Sequence, residues 1–185
     1  MELIGTVVGL QVQRSRLKPL PDKRYEPRPL QSVVELEVGP RGCTGVTAGG
    51  ERVLDVHHAD HPDTRNVRLG NGISLMTLDA YAALRQRHGD HLVDGVAGES
   101  VLVDGALPWG AELVLEVGQG ELRLPRLQPM PPCVGFTCFC LGREGLDTDD
   151  EVLAALEGLQ GGARGGASAV AGDGVVRVGA RLWRA

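Results

Sequence analysis

The sequence predicts a mainly β protein, a closed or nearly closed barrel with helices on its flank. Three observations support this prediction. Most apolar segments are short and rich in Val and Leu, whereas aromatic residues make up only 3% of the chain. Glycine and proline are abundant, at 27 and 11 residues, which is typical of many turns between short elements. Segments with helical periodicity are too sparse to alternate with strands, as a doubly wound parallel sheet would require.

The first part of the chain predicts two strands separated by a loop. Residues 3–12 are rich in β-branched side chains and predict the first strand. Residues 14–30 carry four prolines, which predicts a long exposed loop. In residues 32–38 valine and leucine alternate with glutamate, the pattern of a half-buried strand. Residues 39–72 are polar and rich in glycine, so we expect irregular structure there.

The middle of the chain predicts a helix between strands. Residues 73–77 form a short apolar strand, and Thr77 then occupies the N-cap position of a helix over 78–88. Gly89 ends this helix. A strand over residues 99–105 follows. Residues 111–127 then predict a hairpin that turns at Gly-Gln-Gly.

The end of the chain predicts one more helix and one more strand. Thr148 and Glu151 have the spacing of a capping box, so we expect a helix to begin there and to stop at Gly161 and Gly162. Residues 174–184 predict the last strand. This gives about seven strands and two helices. With no internal repeat and no linker in view, we expect residues 1–185 to form a single domain.

Charge and hydropathy exclude some classes of partner. The formal net charge is -5, which argues against nucleic acid as the main partner, because phosphate binding requires a basic surface. No apolar run has the length of a membrane span. The N-terminus lacks the features of a signal peptide, so we expect a cytoplasmic protein with reduced cysteines.

Three of the four cysteines form the cluster C-x4-C-x-C, and Cys43 lies far upstream. Structural zinc sites use paired knuckles, and only one imperfect half is present here. We interpret Cys138 and Cys140 as buried core residues, since free cysteine is common in cores. Cys133 differs, because the preceding Pro-Met-Pro-Pro restrains its backbone on what we expect to be a turn between two strands. It is placed to act as a ligand or a nucleophile.

Other polar clusters have both a functional and a structural interpretation. His57 and His61 have the i, i+4 spacing of a helical metal site, but the segment lacks a helical face and is better read as a solvated loop. The cations of residues 14–28 could hold an anion, although charge-rich loops are usually only solvated. Gly98 permits a tight turn or the close approach of a ligand. Arg164, between paired glycines, is read as part of a turn.

Four segments in order resemble the MOSC domain, which is named for the C-terminal domain of molybdenum cofactor sulfurases. They are “NGISLMTLDAYAAL”, “GVAGESVLVDG”, “LPWGAELVLEVGQGELRLPRLQPMPPC” and “GASAVAGDGVVRVGARL”. The resemblance covers most of the chain, from about residue 70 to the end. The family's aspartate–histidine loop appears as “LDVHHA”, in which Asp55 and His57 match. Ser100 stands where the family has asparagine.

The resemblance implies a β-barrel of the pyruvate-kinase type with a functional cysteine at Cys133. In the family this cysteine is thought to carry sulfur as a persulfide or to bind the molybdenum of a pterin cofactor. Both roles suit a thiolate, which is a soft ligand and a good nucleophile. We therefore expect a molybdenum–pterin cofactor at Cys133. A small N-hydroxylated or sulfur compound is the expected substrate, and a redox or sulfur-donor protein the expected partner.

The resemblance also assigns the remaining site residues. The expected catalytic residues are Cys133, Asp55, His57 and Glu99, the last three of which would orient the pterin or relay protons. The expected cofactor contacts are Cys133, Gly98, Glu99, Arg126, Arg16 and Lys18, of which the cations would neutralise the cofactor's phosphate.

Two other interpretations stay open, and the sequence leaves it undecided whether the chain is an enzyme. One is a non-enzymatic small-molecule-binding or interaction barrel, in which the cysteines are structural. The other is a zinc protein that uses Cys133, Cys138 and His57.

Overall fold

The computed structural model describes residues 1–64 and 72–185. The strands in chain order are β1 (Glu2–Gln13), β2 (Leu30–Ser32), β3 (Glu35–Gly39), β4 (Gly42–Val46), β5 (Arg52–Leu54), β6 (Ile73–Thr77), β7 (Val101–Gly105), β8 (Leu113–Glu116), β9 (Glu121–Leu124), β10 (Gln128–Pro129), β11 (Gly166–Ser168), β12 (Gly174–Arg177) and β13 (Arg181–Arg184). The helices are α1 (Leu78–His88), α2 (Val134–Cys140) and α3 (Asp150–Gly158).

The strands form two sheets, and the predicted mainly β fold with flanking helices is confirmed. Strands account for 34% of the residues and helices for 15%. The larger sheet has the order β10-β11-β6-β7-β1-β13-β8-β9, with β2 paired to β1, and it curls into a half-barrel. The smaller sheet has the order β12-β3-β4-β5. Every described pairing is antiparallel except that of β6 with β7, which α1 joins as a crossover.

Two apolar clusters lie on opposite faces of the larger sheet. The first fills the space between the sheets with Val and Leu, including Val7, Leu36 and Leu182. The second lies under the helices and contains Tyr25, Met76 and Phe136, among others. Neighbouring residues of β6 point to opposite faces: Leu75 joins the first cluster and Met76 the second. The scarce aromatic residues are therefore concentrated on the helical side.

Helix α1 matches its prediction. The hydroxyl of Thr77 accepts a hydrogen bond from the backbone N–H of Ala80, and the helix ends at Gly89. Tyr81 and Leu84 are its buried residues. Helix α3 differs by one residue at its start, because the carboxylate of Asp149 caps it by accepting from the N–H of Val152. The predicted capping box from Thr148 is therefore wrong.

The prediction of irregular structure over residues 39–72 is wrong where the chain forms β4 and β5. In β4, Gly45 is required by packing and does not mark a loop. A Cβ on Gly45 would lie 2.6 Å from Val33 and 2.9 Å from Val12, so only glycine lets β4 lie this close to β1. Glycine-rich composition therefore marks a close approach of strands here.

The chain around the cysteine cluster also differs from its prediction. Residues 134–140 form helix α2, so Cys133 lies between β10 and a helix, not between two strands. The interpretation of Cys138 and Cys140 as buried is confirmed, with 1% and 0% of their surface exposed. The last predicted strand is divided into β12 and β13, which belong to different sheets.

The loop between β1 and β2 is only partly exposed. Leu17 and Tyr25 are buried, and the Tyr25 hydroxyl donates a 2.7 Å hydrogen bond to the carbonyl of Val96. These two anchors hold the loop against the helical face of the larger sheet. Within the described ranges, no helix has both the length and the apolar character needed to cross a bilayer.

Candidate functional site

A cleft of about 910 Å³ opens beside the loop between β1 and β2. Its other walls include residues 55–57, the start of β6, the turn that precedes β7, residues 125–126 and 128–131, and residues of the segment from Arg164 to the end of β11. These segments are far apart in sequence, and the curled sheet brings them together.

Cys133 lies beside this cleft, at the N-cap position of α2, and is half-buried. Two cations contact its sulfur: Arg164 Nη1 lies 3.3 Å from Sγ, and Lys18 Nζ lies 3.6 Å from it. Both cations line the cleft, whereas Cys133 itself lies behind them. The sulfur is therefore flanked by positive charge, while Cys133 also packs against the apolar cluster that contains Tyr25 and Phe136.

The pKa of the Cys133 thiol is lowered. Burial opposes ionisation, but the positive charge of Arg164, the backbone N–H of Phe136 and the charge of Lys18 together outweigh it. Of the influences that favour ionisation, the positive charge of Arg164 is the largest. An ionised thiol is the reactive form of cysteine, both as a nucleophile and as a metal ligand.

The other three cysteines have the opposite character. Burial raises the pKa of Cys43, Cys138 and Cys140, for Cys140 to about 12. All three are buried. Of the four thiols, Cys133 alone has a lowered pKa and partial exposure. The structure thus distinguishes one thiol of the cluster from the others, as the sequence interpretation anticipated.

Asp55 and His57 lie together in the cleft wall. The Asp55 carboxylate, 4% exposed, accepts 2.8 Å hydrogen bonds from the backbone N–H groups of Gln13 and His57. Asp55 Oδ1 also lies 2.9 Å from His57 Nδ1. The carboxylate thereby orients the imidazole, which leaves Nε2 as the ring nitrogen that does not face Asp55. The His57 side chain is 51% exposed.

Glu99 lies behind the cleft wall and does not line the cleft. Its Oε2 accepts a 2.7 Å hydrogen bond from the Tyr81 hydroxyl, which in turn accepts one from the N–H of Ala97. Oε1 is buried and has no partner within the described chain. Burial raises the pKa of Glu99 to about 7. These contacts indicate that Glu99 supports the turn over residues 95–100.

Gly98 lies in that same turn and lines the cleft. It has a φ of +84°, and a Cβ there would lie 2.6 Å from Leu17. Its carbonyl accepts a 2.7 Å hydrogen bond from Gln13 Nε2. The expected tight turn is therefore present, and the close approach that glycine permits is that of the β1–β2 loop.

The described cleft lining is basic although the chain as a whole is acidic. The cations that line it are Arg16, Lys18, Lys23, Arg126 and Arg164, and the carboxylates are Asp55 and Asp63. The backbone carbonyl of Asp63 accepts two hydrogen bonds from Arg16. The predicted contacts Arg16, Lys18 and Arg126 thus share one cleft, and an anion is the ligand that this charge distribution favours.

Sequence reasoning missed Arg164 as a site residue. The glycine pairs around it were read as a turn, and they do form turns, but its guanidinium reaches Cys133 across 31 residues of sequence. The only sign of this role in the sequence was an arginine flanked by two pairs of glycines, and that pattern is weak evidence for a site residue.

A zinc site at Cys133, Cys138 and His57 finds no support. Within residues 1–64 and 72–185, no group of three or more His, Cys, Asp and Glu side chains is placed to hold a metal ion.

Comparison with protein-family models and with curated sequences finds no match. Solved structures do match. YuaD from Bacillus subtilis is 13% identical, with a TM-score of 0.59 over 97% of this chain and 94% of YuaD. YiiM from Escherichia coli is 13% identical, with a TM-score of 0.54 over 100% of this chain and 70% of YiiM. YuaD and YiiM are MOSC-domain proteins, and the chain therefore has a MOSC-like fold.

Proposed function

We propose that this MOSC-like chain binds a molybdopterin-type cofactor in the basic cleft, with the Cys133 thiolate as the protein ligand of the metal. One observation carries the proposal: the lowered pKa of Cys133, whose sulfur lies 3.3 Å from Arg164 and 3.6 Å from Lys18. A thiolate is a soft ligand suited to such a metal. A cleft of about 910 Å³ has room for a cofactor-sized molecule.

The charges around the cleft fit the other end of such a ligand. Arg16, Lys18 and Arg126 would bind its phosphate, for which the planar fork of arginine is well suited. Lys18 also contacts Cys133, so anion binding and thiolate stabilisation would share one side chain. The bound cofactor would supply a metal centre for two-electron chemistry.

Asp55 and His57 would serve as the hydrogen-bonding pair of this site. Asp55 is held by two backbone N–H groups and fixes the orientation of His57. His57 would then exchange a proton with a bound ligand, a role that an imidazole can fill. Glu99 would act indirectly, by holding Tyr81 and the turn that contains Gly98.

The experiment is to purify the protein from molybdenum-replete cells and to measure molybdenum and pterin per chain. Wild type and Cys138→Ser, the control for loss of a thiol, are expected to retain both. Cys133→Ser is expected to lose the metal. Stoichiometric molybdenum in Cys133→Ser would overturn the ligand assignment. A wild-type protein that contains neither molybdenum nor pterin would overturn cofactor binding itself.

A second candidate function is sulfur carriage at the same residue. The observation that favours it is the contrast between one partly exposed thiol, whose pKa is lowered, and three buried thiols, whose pKa values are raised. The Cys133 thiolate would attack the outer sulfur of a donor persulfide, and the donor would leave as a thiolate. Incubation with a low-molecular-weight persulfide should add one sulfur atom to Cys133 by mass spectrometry. No addition to the metal-free protein would exclude this function.

A further inference from the structure

Arg164 lies in a glycine-rich loop, residues 161–166, that leads from α3 to β11. Gly162 and Gly165 have φ values of +97° and +80°. A Cβ on Gly165 would lie 2.3 Å from the carbonyl oxygen of Leu75, so only glycine lets the loop lie this close to β6. The loop is tight and its place is determined by backbone contacts.

The indole ring of Trp109 packs directly on this loop. A Cβ on Gly162 would lie 2.0 Å from the six-membered ring of Trp109, and one on Gly166 would lie 2.6 Å from it. The ring therefore contacts the backbone on both sides of Arg164. Although Trp109 is 41% exposed, the face of its ring is used to hold the loop.

The turn that carries Trp109 is itself fixed. The N–H of Gly110 donates to the carbonyl of Leu127, and the N–H of Leu127 donates to the carbonyl of Ala111, at 2.8 and 3.0 Å. Leu127 directly precedes β10, which pairs with β11. Trp109 is thus held in register with the strand into which the Arg164 loop continues.

Further contacts place the guanidinium once the loop is held. The N–H of Met130 donates to the carbonyl of Gly165 at 2.9 Å. The Arg164 guanidinium lies 4.9 Å from the ring centre of Phe136, a cation–π contact. Nη1 then lies 3.3 Å from Cys133 Sγ. The packing of Trp109 on Gly162 and Gly166 adds to these contacts from the tryptophan side.

We propose that Trp109 is a positioning residue, which holds the 161–166 loop so that Arg164 stays against Cys133 Sγ and keeps this thiol reactive. The inference rests on the reactive thiolate of the proposed function. Among the described residues, the charged and titratable groups that face Cys133 are Arg164, Lys18, Tyr25, Cys138 and Cys140. Burial raises the pKa values of Tyr25, Cys138 and Cys140, so Arg164 and Lys18 supply the charge.

The test is the rate of iodoacetamide alkylation of the native protein as a function of pH. The variants are Trp109→Ala, Arg164→Gln and their combination. The control is Trp183→Ala, which removes the other tryptophan, whose Nε1 donates to Glu116 on a strand outside the cleft. Trp109→Phe keeps an aromatic ring. If Trp109→Ala does not fold, Trp109→Phe still tests the proposal, because it should fold and should have an alkylation rate between those of wild type and Trp109→Ala.

Trp109→Ala is expected to slow alkylation at neutral pH. Its rate should lie between that of wild type and that of Arg164→Gln, which is expected to be roughly tenfold slower than wild type. It should also move the pH midpoint upward. The combined variant should be no slower than Arg164→Gln alone, because Trp109 acts only through Arg164. Trp183→Ala should keep the wild-type midpoint.

Two results would overturn the inference: a folded Trp109→Ala or Trp109→Phe with the wild-type pH profile, or additive losses in the combined variant. These outcomes differ from a failure of the proposed function. If wild-type Cys133 titrated like a free cysteine, the thiolate itself would be absent. If the pKa of wild-type Cys133 were low and the Trp109 variants left it unchanged, only the positioning role would be refuted.

Discussion

Removing the charge of Arg164 should make Cys133 a weaker nucleophile and a weaker metal ligand. Arg164→Gln keeps a polar side chain but removes the cation that lies 3.3 Å from the sulfur. A hydrogen bond to a charged group contributes about 1.5–3 kcal/mol. Cys133 is half-buried, so solvent screens part of this interaction and the lower end applies. A loss of about 1.4 kcal/mol lowers the thiolate population about tenfold at a pH below the midpoint.

Lys18 should contribute less. Its ammonium lies 3.6 Å from the sulfur and is more exposed, so Lys18→Met should slow alkylation about two- to threefold, the range of a weak exposed ion pair. Arg164 and Lys18 contact the same sulfur, so the double variant need not show the product of the two effects.

The assay is the pH dependence of iodoacetamide alkylation, followed by the mass of the intact protein. Because the other three thiols are buried and have raised pKa values, the first alkylation of the native protein reports Cys133. Arg177→Gln is the matched control. It removes the same charge from β12, where Arg177 pairs with Glu35, and should leave the profile unchanged.

Two results would refute this reasoning. The first is an Arg164→Gln profile that superimposes on the wild-type profile, since the cation would then not stabilise the thiolate. The second is an equal shift in Arg177→Gln, since net charge and not the contact with Cys133 would then set the reactivity.

Three further predictions concern stability, each measured by urea unfolding. Burial raises the pKa of Glu99 to about 7 from 4.5, so native Glu99 holds a proton that the unfolded chain releases. Wild type should therefore lose about 3 kcal/mol relative to Glu99→Gln between pH 4.5 and 7, and a pH-independent difference would contradict this. Asp55→Ala should cost about 2–3 kcal/mol, because it leaves the backbone N–H groups of Gln13 and His57 without their acceptor; a neutral effect would mean that water replaces the carboxylate. Asp149→Ala should cost about 1 kcal/mol as the loss of an N-cap, and Thr148→Ala only a few tenths. A larger loss of stability in Thr148→Ala than in Asp149→Ala would instead support the capping box from Thr148.

Local sequence patterns predicted the regular elements well where packing agrees with local preference. The strand over 73–77, helix α1 with its Thr77 cap and the hairpin of β8 and β9 all follow from short-range rules. These elements need only alternation, a capping hydroxyl and a glycine turn, and each of those is visible within a few residues.

Local patterns gave wrong predictions where the same residue type can be present for two different physical reasons. Gly45 looks like loop composition, but it serves the approach of β4 to β1. The segment after Cys133 has no helical stripe of the usual kind, because helix α2 is short and almost wholly buried, so periodicity could not identify it.

The candidate site shows the same division. Cys133, Asp55 and His57 were chosen from the sequence, through an ordered set of motifs, and the structure places all three in or beside one cleft. Glu99 was chosen in the same way but lies behind the wall, because motif position does not say which side of a turn a side chain occupies. Arg164 could not be identified, because its contact with Cys133 depends on how a glycine loop folds back.

The sequence by itself determined the mainly β class, the capped helix α1, the burial of Cys138 and Cys140, and the choice of Cys133 as the thiol of interest. Each depends on residue type and short-range spacing, which the chain carries locally. Only the tertiary structure decided that Lys18 and Arg164 flank that thiol and lower its pKa. The reason is physical: ionisation depends on charges within a few ångströms in space, and those charges come from segments that lie 115 and 31 residues away along the chain.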